Sequence, residues 1–155
     1  MSYWKWDPSF SVGIEIIDDQ HKQIIQYIND LNMAFSYKKM HLVEEVLKNL
    51  EDYTKSHFSF EEELMEEAGF PLLNEHKQAH KSFIDRIVFF KERYQNGEDI
   101  SKQLKTELEL WLINHIKDDD VEYKSLVKKM FIKKDKKKFS SKLWIKTLAK
   151  KYFKN

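Results

Sequence analysis

Five of the six histidines in this 155-residue chain, His21, His57, His76, His80 and His115, lie on helical stripes that otherwise carry apolar side chains. Glu61 and an aspartate near residue 120 share those stripes. His57 with Glu61 and His76 with His80 are each four apart, so each pair projects from one helix face into neighbouring space and can grip a single ion. Five imidazoles and two carboxylates buried without partners would cost on the order of 1–3 kcal/mol each. A marginally stable domain does not carry that load. The pattern therefore points to a buried metal site. Imidazole and carboxylate without thiolate suit iron, zinc, copper or nickel, and seven candidate ligands exceed the needs of one ion. Two ions sharing carboxylates fit the set better. Zinc fits less well, because structural zinc is usually four-coordinate and often thiolate-bound.

These ligands need four helices to position them. Ile17, His21, Ile24, Ile28, Leu31 and Phe35 alternate steps of four and three, giving an inward seam with a histidine in a core position. The second seam runs Val43, Leu47, Leu50, Thr54, His57, Glu61 and Leu64, and the third Leu73, His76, His80, Phe83, Ile87, Phe90 and Tyr94. The fourth begins with Leu104, Leu108, Trp111 and His115, after which Asp118, Asp119 and Asp120 compete for the next inward place. Regular helix geometry favours Asp119. Continuing the seam through Tyr123, Val127 and Met130 favours Asp120 and requires a slip of one residue. A π-type or widened turn between His115 and Asp120 would supply that slip, and such turns concentrate at functional sites.

Length and composition suit one core. With three glycines and two prolines, strong punctuation is confined to Ala68–Pro71 and Asn96–Asp99. Gly69 is expected to close one helix and Pro71 to open the next, with Ser101 as N-cap of the fourth. The first connection, near Ser36–His41, has neither Gly nor Pro. Alternating β patterns are absent. The expected fold is all-α, an antiparallel up-down-up-down four-helix bundle over residues 1–130, followed by a basic amphipathic extension over 131–155. An aromatic N-terminal arm, Tyr3, Trp4, Trp6 and Phe10, is expected to cap the bundle's end.

The chain has no cysteine, which excludes disulfides, thiolate ligands and cysteine nucleophiles. It has neither a spanning apolar stretch nor a signal-like start, so a cytoplasmic protein is expected. The net charge of +1 conceals an asymmetry: residues 131–155 hold ten lysines and one aspartate, net +9, leaving about −8 for residues 1–130. In the extension Trp144, Ile145, Leu148, Ala149 and Tyr152 project to one side, and Lys142, Lys146, Lys150 and Lys154 to the other. An anionic membrane surface, a protein partner and fold-back onto the acidic bundle are all open to such a helix. Nucleic acid is not expected as a partner, given the apolar face. Glu62, Glu63, Glu66 and Glu67 read as an exposed acidic face, and His41 as a solvated residue.

Three segments carry a family resemblance. SVGIEIIDDQHKQIIQYINDL (Ser11–Leu31), HFSFEEELMEEAGFPLLNEHKQAHKSF (His57–Phe83) and WLINHIKDDD (Trp111–Asp120) resemble a bacterial hemerythrin over residues 3–130. The ferritin-like Glu-x-x-His motif is absent. The resemblance implies two iron ions, one held by His76, His80 and His115, the other by His21 and His57, with Glu61 and Asp120 bridging. It also implies reversible dioxygen binding in an apolar pocket lined by Ile24, Phe58, Trp111, Leu112 and Ile116, with Leu112 as gate. The expected role is an oxygen carrier, storage or supply protein rather than an enzyme. A di-iron oxygen or redox sensor and an oxidase- or peroxidase-type enzyme are the alternatives. The oligomeric state is left open, a monomer among the options.

Overall fold

The helical segments fold where their apolar seams can meet. The computed structural model describes residues 3–153, excluding the side chains of 118–122. Its helices are α1 (Glu15–Ser36), α2 (Met40–Glu67), α3 (Leu73–Gln95), α4 (Ser101–Asn114), α5 (Asp120–Lys136) and α6 (Ser141–Tyr152). A π-helical turn, His115–Asp119, joins α4 directly to α5. The run α4–π–α5 therefore serves as the fourth helix of a bundle with α1, α2 and α3. No strand occurs among the described residues.

The π turn reconciles the two halves of the fourth seam. At about 100° per residue, the eight steps from His115 to Tyr123 would swing Tyr123 about 80° off the inward face. The wide turn absorbs one residue, and His115, Tyr123 and Val127 are all buried. The expected slip is thus present in the backbone. The Asp120 side chain, which the slip was to bring inward, lies outside the described residues.

Each tight connection ends its helix in the same way. After α2, Gly69 takes φ +72°, its N–H donates to Glu66 O, and Phe70 N–H donates to Met65 O, which satisfies the last carbonyls. The glycine-free connection after α1 repeats this geometry with Lys38 at φ 53°. Lys138, at φ 62°, does so between α5 and α6. A lysine tolerates the left-handed region at a cost of about 1 kcal/mol, which explains why the first turn carried no glycine signal. The start of α4 differs from expectation. Asp99 accepts from both Ser101 N–H (3.1 Å) and Ser101 Oγ (2.7 Å), so the capping carboxylate stands two residues before the serine.

The core follows the seams. Ile17, Ile24, Ile28, Leu31, Leu47, Leu50, Leu64, Ile87, Leu104 and Val127 are fully buried or nearly so. The aromatic arm runs alongside α1 rather than over a bundle end. Trp4 exchanges two backbone hydrogen bonds of 2.9 Å with the Asn29 amide, and Trp4 and Trp6 each meet Phe10 edge-on.

The charge-based division at residue 130/131 falls inside α5, which continues to Lys136. The hairpin made by α5 and α6 then folds back. Ile145 and Leu148 are buried, Phe153 packs against Tyr53 and Phe60, and Ser140 caps α6 by accepting from Leu143 N–H at 3.1 Å. Lys151 reaches Glu63 Oε1 at 2.6 Å, as does Tyr152 Oη, and Lys134 reaches Glu67 at 3.2 Å. The acidic face read from the sequence is therefore partly covered by the chain's own lysines.

Candidate metal centre

Glu61 Oε1 is the hub. It lies 3.0 Å from His57 Nε2, 2.9 Å from His115 Nε2 and 3.7 Å from His80 Nε2. His57 and Glu61 come from one face of α2, His80 from α3, and His115 from the first position of the π turn. His21 of α1 closes the group: its ring centroid is 5.0 Å from that of His57 and 5.5 Å from that of His115. Ligand atoms of His21, His57, Glu61 and His115 all lie within 4.8 Å of one another. All four residues are at most 1% exposed. His76 stands one step further out, buried, with its ring centroid 6.4 Å from that of His80. The geometry thus groups His115 with His21 and His57 about Glu61, whereas the resemblance assigns it with His76 and His80.

Hydrogen bonds on the outer ring nitrogens decide what the inner ones can do. Gln20 Oε1, an acceptor only, sits 2.6 Å from His57 Nδ1, so Nδ1 carries the proton and Nε2 presents a lone pair inward. Glu62 Oε2 stands 2.8 Å from His80 Nδ1 and imposes the same orientation there. His57 Nε2 then faces the Glu61 carboxylate at 3.0 Å with lone pair against anion, and His80 Nε2 makes no hydrogen bond. A cation between them, a proton or a metal ion, makes such an arrangement favourable, and burial disfavours the protonated ring.

Protonation of the rings is opposed by their surroundings. Burial, reinforced by the neighbouring imidazoles His57 and His115, holds His21 well below the ordinary histidine range. Burial likewise lowers His57, against the pull of Glu61. Burial pushes Glu61 up, but His57 and His115 outweigh it and hold the carboxyl well below its usual range. The chemistry on offer is therefore neutral nitrogen donors around an ionised carboxylate, a donor set that fits a first-row transition metal.

Aromatic and aliphatic walls close the site. Phe58 stacks on His80 with centroids 4.1 Å apart, Trp111 stacks on His115 at 4.7 Å, and Phe83 stacks on Trp111 at 3.8 Å. Ile24, Leu112 and Ile116 are buried, and Trp111 is half-buried.

Three participants escaped the sequence reading. Gln20 is one residue off the first seam and acts on an imidazole of another helix. Glu62 was read as part of the exposed acidic face, yet it holds His80. Tyr123 was read as core, yet its hydroxyl donates to Glu61 Oε2. The only signal for Tyr123 was its place on the slipped seam.

A four-helix bundle enclosing a histidine and carboxylate cluster able to hold metal is the class these features define. Residues 12–127 match the family model described as Hemerythrin HHE cation binding domain. The chain is 46% identical to a bacteriohemerythrin of Stenotrophomonas maltophilia over 83% of its own length and 84% of the relative's. It is 43% identical to one of Pseudomonas aeruginosa over the same shares, and 32% identical to a myohemerythrin of Theromyzon tessulatum over 78% of this chain and 91% of that one. A crystal structure of wild-type hemerythrin superposes with a TM-score of 0.75 at 24% identity, covering 81% of this chain and 98% of that one, a likeness of fold. The chain belongs to the hemerythrin family.

Proposed function

We propose that this protein binds dioxygen reversibly at a di-iron centre built on Glu61, serving as an oxygen carrier, store or supply protein in the cytoplasm rather than as an enzyme. The observation that carries the reading is the inward convergence of imidazole nitrogens on one ionised, fully buried carboxylate inside an apolar wall. His76, His80 and His115 would hold one iron and His21 and His57 the other, with Glu61 and Asp120 between them. Two ferrous ions there would supply the electrons that let dioxygen bind and leave without net consumption.

The protein's own contribution is orientation and exclusion. Gln20 and Glu62 lock two rings with Nε2 facing inward, and Tyr123 steadies the far oxygen of Glu61. Phe58, Trp111, Leu112, Ile116 and Ile24 keep water, and with it protons, away from the ligand-binding space. A histidine-rich, apolar site favours a stable adduct over substrate turnover.

The test is the visible spectrum of reduced, iron-loaded protein under nitrogen, after air, and after purging again. A charge-transfer band that appears in air and vanishes on purging is expected. A band that persists on purging, or rapid consumption of peroxide with a reductant, would replace the carrier reading with an enzymatic one.

A further inference from the structure

Fold-back of α6 uses only one of its faces. Ile145 and Leu148 go inward, with Trp144, Ala149 and Tyr152 beside them, so the apolar face read from the sequence is already occupied by the bundle. Three further large apolar side chains of the α5–α6 hairpin stay exposed. Ile132 is 55% exposed, Phe139 68% and Leu143 66%.

Each of these three is set among lysines. On the outer face of α5, Ile132 has Lys128 and Lys136 one turn away and Lys129 and Lys133 beside it, all exposed. Phe139 follows Lys137 and Lys138 in the turn, where the positive φ of Lys138 redirects the chain and Phe139 N–H is held by Lys134 O at 2.8 Å. Leu143 shares the outer face of α6 with Lys142, Lys146 and Lys150. Among the described residues of the extension, Lys134 and Lys151 make the ion pairs to the bundle, and the lysines around the apolar triad are solvent-exposed. Lys128, Lys142 and Lys146 also border an open groove of about 530 Å³ between the hairpin and the start of α1, lined in part by Phe131, Ile145, Glu15 and Asp19.

We propose that the outer face of the α5–α6 hairpin is a docking surface for anionic lipid bilayers, with Ile132, Phe139 and Leu143 entering the headgroup region and the surrounding lysines meeting lipid phosphates. Charge complementarity selects this occupant: residues 131–155 carry net +9 against a single acid, Asp135. The Asp135 carboxylate is itself engaged by Ser141 N–H at 2.8 Å and Ser141 Oγ at 3.0 Å. Polybasic surfaces are drawn to anionic leaflets, and stable attachment takes a second signal, which the exposed apolar triad supplies. A duplex-DNA surface reads phosphates and base edges and has no use for exposed Ile132 and Leu143, and the segment contains no arginine. The bundle stays folded in this arrangement, because the docking face is not the face α6 buries. Membrane attachment would place a dioxygen-binding site beside a bilayer, where apolar gases partition.

The experiment is sedimentation of the full chain with vesicles of phosphatidylcholine alone or mixed with phosphatidylglycerol, at low and high salt. Two variants run beside the wild type, Phe139→Ser with Leu143→Ser, and Lys142→Glu with Lys146→Glu. All four positions are exposed, and unchanged circular dichroism melts confirm that the variants fold. The expected result is co-sedimentation with the mixed vesicles only, lost at high salt and reduced at least about tenfold by either variant. Three results would overturn the proposal. One is no pelleting with phosphatidylglycerol vesicles. Another is pelleting that the Phe139 and Leu143 changes leave untouched. The third is duplex DNA binding that only the lysine variant weakens, with vesicles ignored. None of these readouts depends on iron loading or oxygen binding.

Discussion

The metal centre and the α5–α6 hairpin are held in opposite ways. Around Glu61 the imidazoles and the carboxylate are buried, the His57 and His80 rings are each oriented by a residue from another helix, and single contacts are short and directional. In the hairpin the charges are exposed, two ion pairs join it to the bundle, and the packing rests on Ile145, Leu148 and Phe153. A buried polar group without its partner costs the full desolvation penalty, while an exposed ion pair contributes little. Substitutions should therefore be severe and specific at the centre, and mild and condition-dependent in the hairpin.

The largest effect is expected at the hub. Glu61→Ala leaves the inward nitrogens of His57, His80 and His115 facing a void, and should abolish stable iron loading as measured by elemental analysis, together with the air-dependent band. Retention of full iron content would break the contrast. Next is Leu112→Ala. This fully buried leucine should cost about 2–5 kcal/mol in denaturant unfolding through the cavity it leaves. If it gates the pocket, decay of the oxygenated protein should also accelerate; an unchanged decay rate would reduce Leu112 to a packing role.

Tyr123→Phe removes one hydroxyl and no packing volume to speak of. Loss of a partner that steadies a ligand typically weakens metal binding about tenfold or more, measurable by competition with a chelator. An unaltered affinity would show that Glu61 is steadied by its histidine neighbours alone.

The smallest effect concerns pH and the hairpin. Hydrogen bonds from Lys151 and Tyr152 hold the Glu63 carboxyl below its ordinary range. A carboxyl depressed in the folded state stabilises docking above its unfolded pKa, and that contribution is lost as pH falls through the folded value. Protection of α6 amides against hydrogen exchange, taken relative to the intrinsic rate at each pH, should therefore fall on acidification below the ordinary carboxylate range. Glu63→Gln should raise exchange at neutral pH and flatten the acid response. If both proteins respond alike, the docking rests on Ile145 and Leu148 without help from charge.

The two regions also differed in how far they could be read from the residues. The helical seams were legible because a 3.6-residue period forces buried side chains into steps of three and four, and the histidines obeyed it. Even the π turn was legible, since Tyr123 and Val127 kept an apolar stripe that only a one-residue slip could join to His115. Gln20 and Glu62 were not, because each acts across an inter-helix gap on a partner 37 or 18 residues away, and the periodicity of one helix carries no trace of that. The arm was misplaced for a similar reason: its aromatic content indicated burial, but only the pairing of Trp4 with Asn29 decided where.

For the extension, composition and period implied a basic amphipathic helix and left its destination open. The tertiary structure decided it, because the acids that attract Lys134 and Lys151 sit on α2, far away in sequence and near only after folding. The sequence by itself determined the helices, the inward stripe and the donor types, all consequences of local backbone geometry and side-chain chemistry. Which lone pairs converge on Glu61, and which face of the hairpin stays open to solvent, were decided by packing between helices, since both depend on distances that no single helix contains.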